Sequence, residues 1–199
     1  MVGPQAARTS GRLLAGRLLA RRLLAAARAR RLRLAVAEAD TGGLVLSWLT
    51  AWPGSSAVVL GGVVAYADPL KRGLLGVDAN LIAEHGAVSQ AVAEAMASGV
   101  RRATGADVGL ASTGIAGPGG ARPGKPVGLA WLAVASGGGS VVARDYPGSG
   151  GRAANRRASG RALLELALEV LGSEPDAKNL YANRTDVLGC VQQGGHTHG

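Results

Sequence analysis

Phenylalanine is absent from this 199-residue chain, and tryptophan and tyrosine contribute three residues each. An interior without phenyl rings has to be filled by Leu, Val, Ala and Ile, and a hydrophobic content of 47% is enough to do so. Cysteine occurs once, at Cys190, so no disulfide can close within the chain, which fits a reducing compartment. No apolar run approaches the length of a membrane span, so the chain reads as soluble with no membrane partner. Its length suits one α/β domain with extensions at both ends.

Acidic residues are missing from the first 37 positions. That stretch holds nine arginines: Arg8, Arg12, Arg17, Arg21, Arg22, Arg28, Arg30, Arg31 and Arg33. Removing them from the 22 basic residues leaves 13 against 13 acids, so the body from Glu38 onward is formally neutral. The net charge of +9 belongs to the head segment. It gives no reason for the body to bind nucleic acid, and leaves that partner to the head alone.

Residues 1–12 are small and polar, with Gly3, Pro4 and Gly11, and are expected to be a disordered basic head. A near-repeat, G-R-L-L-A, G-R-L-L-A, R-R-L-L-A, then runs from Gly11 to Ala25. Leu, Ala and Arg favour helix. A five-residue period advances about 140° per repeat, which smears the leucine pairs around the helix and argues against a clean membrane-surface stripe. The first reading is a helix packed on the domain. A targeting presequence and contact with nucleic acid or anionic lipid are the alternatives.

The centre of the pattern is Ala35 to Gly43, A-V-A-E-A-D-T-G-G. Leu34 to Ala37 reads as a buried strand, and Thr41 as the cap of a helix opened by Gly42 and Gly43. A strand, a tight turn, two glycines and a helix start can present free N–H groups to an anion, but on this stretch alone a structural turn is the first reading. Ala57 to Ala67 reads as a strand with a bulge or close approach at Gly61-Gly62. Asp68 caps a helix with Pro69 at its first position, and Asp78 and Ser89 start two more. In the Ser89 helix, Val92, Met96 and Val100 share a face. Val108 to Ser112 is a short strand running into a glycine-rich loop, Thr113 to Gly120, at the strand end where open α/β sheets place ligands. Leu129 to Ala135 and Val141 to Tyr146 form a hairpin, which makes the sheet mixed. A last helix spans about Ala153 to Leu171, with Arg152 and Arg156 on one face and a buried second half.

Residues 172–199 read as a flexible tail. His196, His198 and one cysteine, without acids beside them, do not make a metal site. The Asn183-Arg184-Thr185 sequon follows no secretory signal.

A-E-A-D-T-G-G, G-G-V-V-A-Y with Lys71 behind it, H-G-A-V-S, T-G-I-A-G-P-G-G, K-P-V-G and the final arginine-bearing helix occur in that order. As a set they resemble the C-terminal domain of the CinA competence/damage-inducible family, also found as stand-alone nicotinamide mononucleotide deamidases. The resemblance covers about Leu13 to Leu171. It implies a single three-layer α/β/α domain with a mixed sheet, dimeric and cytoplasmic. It implies hydrolysis of nicotinamide mononucleotide to nicotinic acid mononucleotide and ammonia, in pyridine nucleotide salvage, without a metal or other cofactor. The larger CinA protein carries a further N-terminal domain, so a stand-alone form is implied.

The resemblance also assigns residues. Tyr66, Lys71 and Thr113 fall at catalytic positions, with Lys71 as base or proton relay. Thr41, Gly42, Gly43, Gly114 and Gly117 fall at substrate-binding positions, and Arg152 and Arg156 suit a nucleotide phosphate. Where the family often has Gly-Asp-Arg, this chain has Gly150-Gly151-Arg152. The largest departure is in the first motif. The family's nucleophilic serine, in A-E-S-C-T-G-G, is replaced by Ala39, with Asp40 after it. A methyl group cannot attack an amide, and losing a covalent nucleophile costs on the order of 10⁴ to 10⁶ in rate. Enzyme activity is therefore uncertain. The first reading is a catalytically silent nucleotide- or partner-binding relative. The others are water activated by Asp40, attack by Thr41, or deamidation by another route.

Overall fold

The two faces of the strand segments differ in bulk, and that difference decides which helices lie on each. Leu34 and Val36, Val108 and Leu110, and Ala130, Leu132 and Val134 point one way, into a cluster with Leu23, Trp48, Leu49, Leu163 and Leu166. Ala35 and Ala37, Ala111, and Ala133 and Ala135 point the other way, toward Val92, Met96 and Val100. Alternation along each strand thus makes two apolar layers, one thick and one thin.

The computed structural model describes residues 4–137 and 141–173. In chain order the elements are α1 (Pro4–Ala29), β1 (Leu34–Glu38), α2 (Leu44–Thr50), β2 (Val59–Val64), α3 (Asp68–Leu75), α4 (Ala79–His85), α5 (Gln90–Thr104), β3 (Val108–Gly114), β4 (Leu129–Ala135), β5 (Val141–Pro147) and α6 (Arg152–Ser173). The sheet order is β2-β1-β3-β4-β5. The first three strands are parallel, and β4 and β5 are antiparallel additions. This is the expected mixed sheet. The helices α1, α2 and α6 cover its bulky face, and α3, α4 and α5 lie on the other.

Small residues set the close approaches. A Cβ on Gly109 would collide with the Ala97 carbonyl of α5, and one on Gly99 with the Leu75 carbonyl of α3. On the bulky face, the Trp48 ring sits between Gly16 of α1 and Gly160 of α6, where added Cβ atoms would lie 2.7 and 2.9 Å from it. A bulge offsets β2 from β1 after Leu34, which pairs Val59, while Ala35 pairs Gly61. Gly62 also approaches β1 closely, since a Cβ there would meet Val36 O at 2.5 Å. The strand expected over Ala57 to Ala67 is shorter at both ends, because Ser55–Ala57 forms a 3-10 turn and β1 leaves after the Glu38–Val64 pair.

Two caps on the thin face agree with the sequence, while the expected Asp68 cap of α3 is not formed, since the N-cap is Ala67 and Asp68 accepts from Lys71 instead. Asp78 accepts from Asn80 N, and Ser89 accepts from Val92 N. At the starts of two bulky-face helices the outcome differs from the sequence expectation. The first helix begins at Pro4, inside the stretch read as a basic head, in keeping with its Ala and Arg content. Thr41 is not the cap of α2. That position is Gly43, at φ 89°, with no side-chain cap, and the Thr41 hydroxyl shares a 2.8 Å hydrogen bond with Ser112 Oγ. At the C-terminus α6 continues through Ser173. The rest of the expected tail, with Asn183, Cys190, His196 and His198, lies outside the described residues. Among the described residues, no helix is long and apolar enough to cross a membrane.

Candidate functional site

The parallel strands β1 and β3 end side by side, with Glu38 paired to Ser112. Beyond them the chain must turn away, and the space left over the strand ends is a cavity of about 150 Å³. Ala39 and Asp40 from the β1 turn, Thr113 and Gly114 from β3, Tyr66 and Lys71 from the second motif, and Arg152 from α6 line it. Residues about 110 positions apart in sequence are thus brought to one place by the sheet order.

Each side chain is held. Lys71 is only 2% exposed, and its Nζ donates to Asp68 Oδ1 at 2.8 Å and to Tyr66 O at 3.2 Å. The ion pair with Asp68 compensates the buried ammonium, as a charge out of water requires. Arg152 spans the cavity mouth, donating from Nη1 to Gly117 O and from Nη2 to Tyr66 Oη, both at 2.9 Å. Tyr66 itself is 61% exposed. Thr113 Oγ1 donates to Ala87 O, which joins the H-G-A-V-S segment to the glycine-rich loop. Lys125 of the K-P-V-G motif donates to His85 O, tying the far side of that loop to the end of α4.

The glycine turn follows the structural reading of the sequence and not the anion-binding one. The first N–H groups of α2 are not left open for an anion. Glu38, 1% exposed, folds back so that its carboxylate accepts from Val45 N at 3.2 Å and Leu46 N at 2.8 Å. An internal anion therefore occupies the positive end of this short helix. Thr41, Gly42 and Gly43 are absent from the cavity wall, and Gly117 contributes its carbonyl to Arg152 instead of lining the wall. Arg156 does not reach the cavity either. Its Nε and Nη2 donate to the carbonyls of Asp40 and Thr41, at 3.2 and 2.7 Å. It clamps the turn that carries position 39.

Asp40 is the group whose environment the sequence did not reveal. It borders the cavity, but Oδ1 is buried without a hydrogen-bond partner of good geometry among the described residues. Burial pushes its carboxyl pKa up. The hydroxyls of Ser159 and Ser112 oppose the shift, and the nearby charge of Glu38 adds to it. Glu38 was quoted only as part of a motif. Its capping role left no local signal, because the N–H groups it serves lie seven and eight residues ahead. Among the described residues, no group of His, Cys, Asp and Glu could hold a metal ion.

Comparison with known proteins gives a consistent result. The family model of the CinA C-terminal domain matches residues 17–171. A CinA-like protein of Anaeromyxobacter dehalogenans is 54% identical over 143 residues, which is 70% of this chain and 35% of that protein. A CinA-like protein of Gemmatimonas aurantiaca is 58% identical over 105 residues, covering 53% of this chain and 24% of its own length. The chain thus spans about a third or less of these relatives. Among solved structures, a competence/damage inducible protein from Agrobacterium tumefaciens superposes with a TM-score of 0.76 at 40% identity, over 79% of this chain and 96% of that one. A competence damage-inducible protein A from Klebsiella pneumoniae gives 0.77 at 32% identity, over 80% and 99%. With the family model matching residues 17–171, this chain belongs to the CinA C-terminal domain family.

Proposed function

We propose that the cavity beside Ala39 binds a pyridine mononucleotide, nicotinamide mononucleotide by family resemblance, and that this chain does not hydrolyse its amide through a covalent intermediate. The observation that carries the reading is the cavity wall itself. It has the Ala39 methyl where, by the family resemblance, an attacking serine oxygen would stand, and Lys71, Tyr66, Thr113 and Arg152 are gathered around it. At about 150 Å³ the cavity is below the ~300 Å³ usual for a drug-sized ligand. It suits the pyridine ring with its carboxamide, with the ribose phosphate left at the mouth. Arg152 stands there. Its guanidinium forms no ion pair among the described residues, which leaves its charge for the phosphate.

The substitutes for the serine are poorly arranged. Thr41 is fully buried in its bond to Ser112, off the cavity wall, so its oxygen does not meet a substrate. Asp40 borders the cavity, but its Oδ1 is closed off from solvent, which keeps that oxygen from a water it would have to activate.

Calorimetric titration with nicotinamide mononucleotide and an ammonia-release assay test the reading together. The expected outcome is saturable binding by the unmodified chain with no ammonia above the blank, and ammonia release by Ala39→Ser. Turnover by the unmodified chain overturns the silent reading. Absence of binding by both proteins overturns the pocket.

A further inference from the structure

The head segment folds as part of the domain, and this gives its arginines a fixed arrangement. Arg17, Arg21 and Arg28 lie within about 40° of one another around the α1 axis, spaced about 6 and about 10 Å along it. All three are exposed. They face the connection from α2 to β2, where Trp52 is fastened by donation from Nε1 to Arg17 O. The guanidinium carbons of Arg17 and Arg21 lie 5.8 and 5.3 Å from the Trp52 ring centroid, within cation–π range. Arg28 donates to Gly54 O and closes the far end. The groove between them has a volume of about 580 Å³, with Arg21, Arg28 and Trp52 in its wall. Among the described residues, none of the ion pairs involves an arginine of α1.

We propose that this groove binds single-stranded nucleic acid, its phosphates on Arg17, Arg21 and Arg28 and a base against the Trp52–arginine stack. A row of uncompensated guanidinium groups beside an aromatic ring is the combination that single strands use, with charge along the backbone and a flat surface for a base. The room available matches one or two nucleotide units. A membrane surface fits less well. Leu14 and Leu18 beside the row are about half exposed, at 55% and 45%. Two half-exposed leucines offer less apolar area than a single acyl chain, which by itself holds a protein only marginally. This site lies outside the cavity beside Ala39 and does not depend on the nucleotide reading.

Fluorescence anisotropy of a short labelled oligothymidylate against the full chain, from about 50 to about 200 mM salt, tests it. Three neutralised phosphates predict a slope of log affinity against log salt near −2, at about −0.7 each. The pair Arg17→Ala and Arg21→Ala is expected to weaken binding at least about tenfold and to flatten the slope by about 1.4. Because Trp52 bonds the carbonyl of residue 17, that anchor survives the substitution. Arg17→Lys with Arg21→Lys retains the charge, and is expected to keep the slope while losing affinity. An unchanged slope in the alanine pair overturns the proposal. So does failure to bind at low salt, or binding to phosphatidylserine vesicles without binding to the oligonucleotide.

Discussion

Replacing Glu38 by glutamine removes one oxygen's worth of acceptor and one charge, with almost no change in shape. The structure gives the consequence. The carboxylate of Glu38 accepts from Val45 N and Leu46 N, and α2 has no side-chain cap of its own, because Gly43 stands at that position. An amide keeps one acceptor, which the shorter bond to Leu46 N would retain. It turns a donor toward Val45 N, which becomes a buried donor facing a donor. A hydrogen bond to a charged group contributes about 1.5–3 kcal/mol net, and an orphaned buried N–H costs about 1–3 kcal/mol. Losing the favourable charge at the helix start adds up to about 1 kcal/mol. A total loss of about 3 kcal/mol is expected, which for a chain of this size lowers Tm by roughly 6–12 °C. Urea unfolding followed by tryptophan fluorescence is the direct assay, since Trp48 lies in α2 and is buried. Glu38→Ala, which removes both acceptors and leaves a void, should be worse than Glu38→Gln. A Glu38→Gln protein with a Tm within about 1 °C of the unmodified chain would refute the claim that this carboxylate holds the turn.

Gly160→Ala places a methyl 2.9 Å from the Trp48 ring and 3.2 Å from Val45 Cγ2. Overpacking at about 1–3 kcal/mol should outweigh the ~1 kcal/mol gain in helix propensity, so calorimetry should show a net loss. Arg156→Ala frees the carbonyls of Asp40 and Thr41 and should destabilise by about 2–4 kcal/mol in denaturant titration, with weaker nucleotide binding as a secondary effect. Arg152→Ala should reverse that balance, weakening nicotinamide mononucleotide by about ten- to hundredfold in calorimetric titration with little change in Tm. Asp40→Asn tests the buried carboxyl through pH. A raised folded-state pKa means that the native chain holds a proton the unfolded chain releases, so stability falls as pH rises from the ordinary aspartate value through the raised one. The substitution removes that loss, so the Tm gain over the unmodified chain should be larger at alkaline than at acidic pH.

Much of the architecture could be read before any coordinates because its causes are local. The Asp78 and Ser89 caps and the Val92–Met96–Val100 spacing are each set within a few residues. The hairpin of β4 and β5 followed from two apolar runs and a glycine-rich gap. Where the reading failed, the cause was a partner far away in sequence. Thr41 had the right chemistry for a cap, but Ser112, 71 residues on, competes for its hydroxyl. The first helix went the other way: its five-residue period gave no clean stripe, yet Ala20, Leu23 and Ala27 pack against α2 and α6 as the first reading had it. The sequence shows that a residue can cap or bury, while tertiary contacts decide whether it does.

The same distinction separates the residues of the first motif. Its letters allowed a structural turn or an anion-binding one, and the structure gives them two jobs. Ala39 faces the cavity, whereas Glu38, Thr41 and the glycines serve the frame, with Arg156 fastening the turn from the opposite side. Selection for folding therefore acts on four of these positions without reference to any ligand. Position 39 is different. It is 6% exposed and its N–H bonds Ser112 O, so the backbone is fixed and only the side chain is free to vary. A methyl and a hydroxymethyl group differ there by one oxygen, which the adjoining cavity has room to accept. The turn can thus keep its shape with either side chain at position 39. That is why Ala39→Ser is expected to alter chemistry with little effect on stability, while Glu38→Gln does the reverse.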